Sequence, residues 1–192
     1  MWFSQLNGDD LIFEKDEGIR AETTIEKLAK LRPLLPGGII TAGNSSQQND
    51  AASACLVVAE HKLAELNLTP IAFFGGWAAA GCEPSHMGIG PVPAVAKLFK
   101  QRGLGWDDLD LIEINEAFSA QVLAVLKAMD FNDHSRINVN GSGISLGHPI
   151  AATGVRIMTS MLYELERRNG HRALETMCIG GGQGIAAIFE RD

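Results

Sequence analysis

The apolar residues of the chain recur with two spacings, and both predict regular elements. Apolar and small side chains at helical spacing predict helices at 23–31, 50–66, 91–101, 117–129 and from residue 149 onward. Compact apolar runs predict short strands at 38–42, 71–77, 109–114, 137–139, 174–179 and 185–189. Strands that alternate with helices and end in a hairpin predict an α/β layered fold.

Local signals sharpen the ends of some elements. Thr23 or Thr24 is a candidate N-cap for the first helix, with Glu26 close behind at a capping-box position. Pro91 favours the first turn of the helix that follows it. Residues 1–19 are polar and show no sustained periodicity, so they are predicted to be a linker or an excised edge.

Composition and charge limit the class of protein. A hydrophobic fraction of 46% with only 20% charged residues predicts a folded chain. The net charge of −7 argues against nucleic acid and anionic membranes as partners. Three cysteines cannot form a disulfide framework, and the start of the sequence lacks the pattern of a signal peptide. We therefore expect a cytoplasmic protein.

Two common kinds of ligand site are disfavoured. The glycines at 180–184 have no helix after them, and Pro91 and Pro93 remove backbone donors from the glycine-rich run before them, so dinucleotide binding is not predicted. Cys82 and His86 are four residues apart, but no second pair of ligands completes a zinc site. We therefore predict that the chain holds no metal.

The remaining cysteine and histidines are expected to be structural or solvated. Cys55 lies among small apolar residues of the predicted helix 50–66, which predicts a buried core thiol. His61, His134 and His171 lie in polar or charged stretches and are predicted to be exposed.

Three polar positions are harder to explain by packing. Asn115 lies where a strand passes into a helix, His148 lies between a glycine-rich loop and a long helix, and Cys178 ends a strand before three glycines. In α/β folds ligands gather at such strand ends. A helix cap, a hydrogen-bonded turn histidine and a core cysteine are the structural alternatives for the three residues.

Five motifs, taken in order, carry a resemblance to a known family. They are TAGNSS with NDAA at 41–52, MGIGPVPA at 87–94, NEAF at 115–118, NVNGSG through GHP at 138–149, and CIGGGQG at 178–184. These motifs resemble the successive signatures of the thiolases, the acetyl-CoA C-acyltransferases. The resemblance extends from about residue 14 to the last residue and matches the C-terminal half of the family's chain.

The resemblance implies a fold and a division of the chain. It implies the thiolase-like layered αβαβα fold, here its C-terminal half with a mixed sheet flanked by helices. Residues 1–69 would be a remnant of the N-terminal and loop region, and residues 70–192 the thiolase C-terminal domain. The family's nucleophilic cysteine belongs to the other half, so we expect the 192 residues to be inactive alone.

The resemblance also implies roles for four catalytic residues. His148 resembles the histidine that deprotonates the nucleophilic cysteine and, with a water held by Asn115, polarises the thioester oxygen. Cys178 resembles the cysteine that moves a proton to or from the carbon beside the thioester carbonyl. The backbone N–H of Gly180 resembles an oxyanion-hole donor. A Claisen condensation needs donors and a base of this kind.

Coenzyme A is the implied substrate, and no covalently bound cofactor is implied. Ser46, Met87 and Phe118 match positions that line the family's pantetheine tunnel, and Arg20 resembles a residue that reaches the adenine end of CoA. The expected macromolecular partner is a second copy of the chain or a separate N-terminal thiolase half. We also expect Cys178 to be alkylated faster than Cys55, because neighbouring backbone donors would favour its thiolate.

Two other functions stay open from the sequence. A non-catalytic module that binds CoA or an acyl chain would need only the tunnel residues, and a purely structural fragment would need neither the tunnel nor the catalytic residues. Thioester turnover with and without an N-terminal partner would separate these alternatives from a thiolase.

Overall fold

The computed structural model describes residues 2–4, 10–12 and 14–192, and these form two compact units divided between Leu31 and Arg32. In the first unit, β1 (Trp2–Ser4) pairs antiparallel with β2 (Asp10–Ile12), and α1 spans Ile25–Ala29. The linker prediction is therefore wrong for residues 2–4 and 10–12, which pair as strands, whereas residues 14–19 lie in no helix or strand. Thr24 is the N-cap of α1, and its hydroxyl accepts a hydrogen bond from the backbone N–H of Lys27 at 3.2 Å, which confirms the predicted cap.

The second unit begins with a long irregular segment, residues 32–69. The predicted strand 38–42 is absent, since Leu34 N instead donates to Ile40 O at 2.7 Å and closes a loop. The predicted helix 50–66 is also wrong over 50–59, and only a 3-10 turn and α2 (Leu63–Leu66) follow. A short helix is marginal without a packing partner, and this stretch is almost wholly exposed. Cys55 is consequently exposed, not a core thiol.

A four-stranded mixed sheet forms the centre of the second unit. Its strands are β3 (Phe73–Gly81), β4 (Leu111–Ile114), β5 (Arg172–Ile179) and β6 (Gln183–Glu190), in the spatial order β3-β6-β5-β4. The pair β4–β5 is parallel, whereas β5–β6 and β3–β6 are antiparallel. The closing hairpin predicted from 174–189 is confirmed. Residues 137–139 contribute only an isolated bridge between Ile137 and Ile112.

Four further helices accompany this sheet in chain order. They are α3 (Pro91–Arg102), α4 (Ser119–Ala128), α5 (Gly143–Leu146) and α6 (Thr153–Arg167). The predicted helices at 91–101 and 117–129 are confirmed within a few residues, and the helix expected from residue 149 begins at Thr153.

The core lies on both faces of the sheet. One cluster joins α3 and α4 to the sheet through Leu98, Val125, Ile112 and Leu174, and another joins α6 to it through Leu165. This arrangement confirms the predicted α/β layered class. In the part of the chain that the structure describes, no helix is long and apolar enough to cross a membrane.

Candidate active site

The carboxyl ends of the parallel strands β4 and β5 bring two of the predicted residues to one edge of the sheet. Asn115 directly follows β4 and is 1% exposed, and its backbone N–H donates to Thr176 O at 3.0 Å. Cys178 is the penultimate residue of β5, with Gly180 just beyond. Parallel neighbours place their carboxyl ends together, so a site at this edge follows from the topology.

His148 lies at the same edge and contacts Asn115. The amide nitrogen of Asn115 is 3.4 Å from Nε2 and 3.5 Å from Nδ1 of the imidazole. The backbone N–H of His148 donates to Gln47 O at 2.8 Å, which attaches the histidine to the otherwise irregular segment 32–69. The structure therefore brings together two of the four predicted catalytic residues.

Thr153 contacts one ring nitrogen of His148. Its hydroxyl donates to Pro149 O at 2.9 Å and lies 2.7 Å from Nδ1 of His148. A hydroxyl has one proton to donate, so while it donates to Pro149 O it accepts from the imidazole, and Nδ1 is then the protonated nitrogen. In this tautomer Nε2 carries the lone pair, and the amide nitrogen of Asn115 lies at nearly equal distances from the two ring nitrogens.

The electrostatic surroundings of His148 favour its neutral form. Burial of the ring lowers the pKa of His148 below its usual value, and the positive charge of Arg156 lowers it further. A neutral imidazole with an unprotonated Nε2 is the state that a general base needs.

Gly143 allows the close approach that holds Asn115 in place. A Cβ at residue 143 would lie 2.7 Å from Glu116 O and 3.0 Å from Asn115 Oδ1. Within the described residues, Asn115 Oδ1 is buried and accepts no hydrogen bond. Any side chain at position 143 would therefore press directly on the polar end of Asn115.

Cys178 shares the edge but has a different environment from that expected. Side chains alternate along β5, so Cys178 faces the same side as Leu174, whereas Glu175 faces α6. Burial raises the pKa of the Cys178 thiol, which disfavours the thiolate that the sequence predicted. No hydrogen bond joins Cys178 to His148 or Asn115 among the residues that the structure describes. A Cβ at Gly180 would meet no atom within 4 Å, so the approach to its backbone is open.

The residues predicted to bind CoA lie in three places. Ser46 N donates to Ala117 O at 2.9 Å, and Ser45 forms a β-bridge with Phe118, so Ser46 and Phe118 are neighbours. Met87 lies in the 3-10 turn Pro84–Ile89, which Gln121 of α4 binds through Gly88 O at 3.1 Å. Arg20 lies in the first unit and is exposed.

Sequence reasoning missed four residues near this edge. Thr153 contacts the histidine directly, while Glu113, Glu175 and Arg156 lie behind it. The signal for the two glutamates was present, because each is an acidic residue in the middle of an apolar strand. His61, His134 and His171 are exposed, as predicted.

Comparison with known families identifies both parts of the chain. Residues 68–191 match the family described as "Thiolase, C-terminal domain", and residues 1–61 match "Thiolase, N-terminal domain".

Curated relatives carry corresponding names. The chain is 50% identical over 184 residues to beta-ketothiolase BktB of Cupriavidus necator, covering 95% of this chain and 46% of that protein. It is 46% identical over 188 residues to an acetyl-CoA acetyltransferase of Chromobacterium violaceum, covering 97% and 48% of the two chains. The chain thus spans about half the length of the curated relatives it matches.

Solved structures share the fold. Human mitochondrial 3-ketoacyl-CoA thiolase superposes with a TM-score of 0.87 at 42% identity, covering all of this chain and 48% of the human one. Bacillus anthracis acetyl-CoA acetyltransferase superposes with a TM-score of 0.89, also at 42% identity, covering 98% of this chain and 48% of the other. The expected thiolase-like fold is confirmed, and the chain belongs to the thiolase family.

Proposed function

We propose that this chain supplies the acid–base part of a thiolase-type acyl-CoA C-acyltransferase, which cleaves a 3-ketoacyl-CoA with CoA or runs the reverse Claisen condensation. The observation that carries the proposal is the contact set of His148. The Thr153 hydroxyl contacts Nδ1, and the Asn115 amide nitrogen lies beside the ring, 3.4 Å from Nε2 and 3.5 Å from Nδ1, at the edge where Cys178 lies near the end of β5.

Each residue has one proposed task. His148 Nε2 takes the proton from the attacking thiol, a step for which its lowered pKa keeps the base unprotonated near neutral pH. Cys178 gives a proton to the carbon beside the thioester carbonyl in cleavage and removes it in condensation. The raised pKa of the thiol suits a group that carries its proton to a carbanion. The exposed backbone at Gly180 offers an N–H to the developing oxyanion.

The nucleophilic thiol is proposed to come from a polypeptide other than these 192 residues. Cys55 is exposed in the irregular segment, and Cys82 is half-buried, with its Sγ 3.7 Å from His86 O. Neither cysteine adjoins a group that would activate it, since both nearby polar atoms of Cys82 are carbonyl oxygens. A second copy of this chain carries the same three cysteines, so we propose a separate N-terminal thiolase half as the partner that supplies the nucleophile.

Coenzyme A is the proposed substrate and is bound without a covalent link. Support comes from a human mitochondrial 3-ketoacyl-CoA thiolase solved in complex with CoA, which is 44% identical to the chain with a TM-score of 0.85, covering 94% of this chain and 46% of the human one. Ser46, Met87 and Phe118 are the proposed pantetheine contacts. Arg20 stays a prediction for the adenine end.

The proposal is tested by complementation. The 192-residue protein is assayed for CoA-dependent loss of acetoacetyl-CoA, alone and after co-expression with the N-terminal half of the Cupriavidus necator relative. We expect no turnover alone and measurable turnover in the complex, because an acyl-enzyme needs a nucleophile. His148→Asn should remove the complemented activity, and His171→Asn, at an exposed position, should keep it.

The alternative outcomes are distinct. CoA binding by calorimetry without turnover in any mixture would indicate a binding module and contradict the proposal. Turnover by the isolated chain within about tenfold of a typical kcat of roughly 10 per second would contradict the missing nucleophile.

A glycine pair tests the geometry of the base. Gly143→Ala should lower complemented kcat by about tenfold or more, because the added Cβ displaces Asn115. Gly105→Ala, before a 3-10 turn at the amino end of β4, is the matched control for added bulk, since its Cβ would meet only Asp108 Oδ2 at 3.9 Å. Equal activity in the two variants would show that the position of Asn115 is unimportant.

A further inference from the structure

Two carboxyl side chains lie side by side inside the sheet. Glu113 of β4 and Glu175 of β5 are direct register partners, so their side chains leave the sheet on the same face. Glu113 is 3% exposed and Glu175 is 7% exposed. Two buried carboxylates this close repel each other and require a cation or a shared proton.

Arg156 supplies the cation from the helix that covers this face. A Cβ at Gly154 would lie 3.7 Å from Glu175 Oε1, which places that carboxyl group against the first turn of α6. All three guanidinium nitrogens of Arg156 are buried, and none makes a hydrogen bond within the described chain. The guanidinium therefore acts on the carboxyl groups through space and not through a direct ion pair.

The charges of this group are coupled. Burial raises the pKa of Glu113 and of Glu175, each to about 8, and Arg156 opposes the rise in both. The charged groups that face Arg156 are Glu113 and Glu175 on the sheet and Glu116 just after β4. At neutral pH the buried pair therefore holds at least one proton, and the positive charge of Arg156 is only partly balanced.

The same two elements carry the contacts of His148. Asn115 follows Glu113 by two residues along the strand direction, and Arg156 follows Thr153 by three residues on α6, so each pair shares a face. The group Glu113, Glu175 and Arg156, here called the buried charge triad, thus lies directly behind the histidine. Arg156 is the charged group whose field acts on His148.

We propose that the buried charge triad is a positioning device for the site, in which the buried guanidinium of Arg156 on α6 lies opposite the paired carboxyl groups of Glu113 and Glu175 and sets the charge beside His148. Arg156 is thereby a positioning residue and not a catalytic one. The consequence for turnover rests on the proposed function, whereas the effect on the histidine does not. None of the three residues belongs to the motifs from which the function was proposed.

The test is an NMR titration of the histidine ring protons in the 192-residue protein. In Arg156→Gln, the titration midpoint of His148 should rise by about half a pH unit or more, because a nearby positive charge is removed. Arg156→Lys keeps the charge and should leave the midpoint near that of the unchanged protein. The exposed His61, His134 and His171 serve as internal controls and should not shift.

A second variant covers the case in which Arg156→Gln does not fold. Arg156→Gln with Glu175→Gln removes the cation and one carboxyl group together, so it leaves no new unbalanced pair. The His148 midpoint should rise in this double variant as well. An unchanged midpoint in the double variant would overturn the proposal, as would an equal rise in Arg156→Lys.

The titration separates this proposal from the thiolase proposal. If complementation yields no turnover, the shift of His148 is still expected. If complementation succeeds, the acidic limb of the kcat/KM profile should move to higher pH in Arg156→Gln and return in Arg156→Lys. Turnover with an unmoved acidic limb would support the thiolase function and contradict the role of Arg156.

Discussion

Residues 32–69 and the sheet region 73–190 have similar apolar patterns, but only the sheet region is buried and forms long regular elements. No residue of 32–69 is buried, and Leu56 and Val57 are 79% and 87% exposed. In the sheet region, Leu174 and Ile188 are fully buried between helices and strands. The difference shows that an apolar pattern becomes an element only where another element covers it.

One stretch of the irregular segment is well ordered by hydrogen bonds, and it lies at the candidate site. Residues 44–47 belong to the irregular segment, yet their backbone forms hydrogen bonds with Ala117, with Ser119 at the start of α4, and with His148. Backbone hydrogen bonds, and not burial of apolar side chains, hold this stretch in place. The segment therefore contributes to the site without contributing to the core.

The largest expected effect comes from removing core volume on one side of the comparison. Leu174→Ala should lower the free energy of unfolding by about 2 to 5 kcal/mol, because the deletion leaves a cavity in a packed cluster. Leu56→Ala is the matched control and should change it by less than about 0.5 kcal/mol. Urea unfolding measures both. A comparable loss in Leu56→Ala would mean that residues 50–59 are packed in solution.

Much of the sheet region was predictable from the sequence because its apolar runs have packing partners within the same chain. The strands at 109–114 and 174–179 are apolar runs whose neighbours lie within the same chain, so the pattern and the packing agree. The helix predicted over 50–66 failed because its periodic residues meet no partner among the described elements. A periodic apolar pattern shows that one face of a segment could be buried, but it does not show that another element is present to bury it.

The site was predicted in part for a similar reason. Asn115 and His148 belong to motifs with visible polar residues at strand and helix ends, and the structure brings them together. Thr153 and Arg156 lie inside a helix where a polar residue carries no signal by itself. Their importance depends on the register of β4 and β5 and on how α6 crosses them, which a single sequence does not contain.

The second prediction concerns pH and the buried pair of the sheet region. The raised pKa values of Glu113 and Glu175 mean that the folded state holds protons that the unfolded state releases, so stability present at low pH is lost as pH rises through about 8. From pH 6.5 to 8.5 we expect a loss of about 1 to 3 kcal/mol. His148 has a lowered pKa, so its contribution to stability is lost as pH falls below the usual histidine value of 6.5. That change lies outside the window from pH 6.5 to 8.5.

Two variants test whether this loss of stability comes from Glu113 and Glu175. Glu175→Gln should flatten the dependence on pH by about half, and Glu60→Gln, in the exposed segment, should leave it unchanged. Chemical unfolding at four pH values is sufficient. A slope that persists in Glu175→Gln would locate the responsible protons elsewhere.

A third prediction uses limited proteolysis to compare the two regions directly. Brief digestion with a protease of broad specificity should cut first within residues 50–59, where the backbone has no regular structure and the side chains are exposed. The sheet region should survive as a fragment that includes both His148 and Cys178. If mass spectrometry places the first cuts within residues 73–190, the prediction that residues 50–59 are the more accessible region is wrong.

The smallest expected effect is the order in which the cysteines react, and it contradicts the expectation drawn from the sequence. Cys55 is exposed in the irregular segment, whereas Cys178 is partly buried and burial raises its pKa. We therefore expect iodoacetamide to modify Cys55 first and Cys178 about tenfold or more slowly. In urea the difference should disappear, which controls for the reagent, and Cys55→Ser isolates the slower thiol. If native Cys178 reacts as fast as Cys55, the prediction is wrong. Backbone donors near Gly180 must then stabilise the Cys178 thiolate by more than burial destabilises it, and iodoacetamide must reach this edge of the sheet as easily as it reaches the irregular segment.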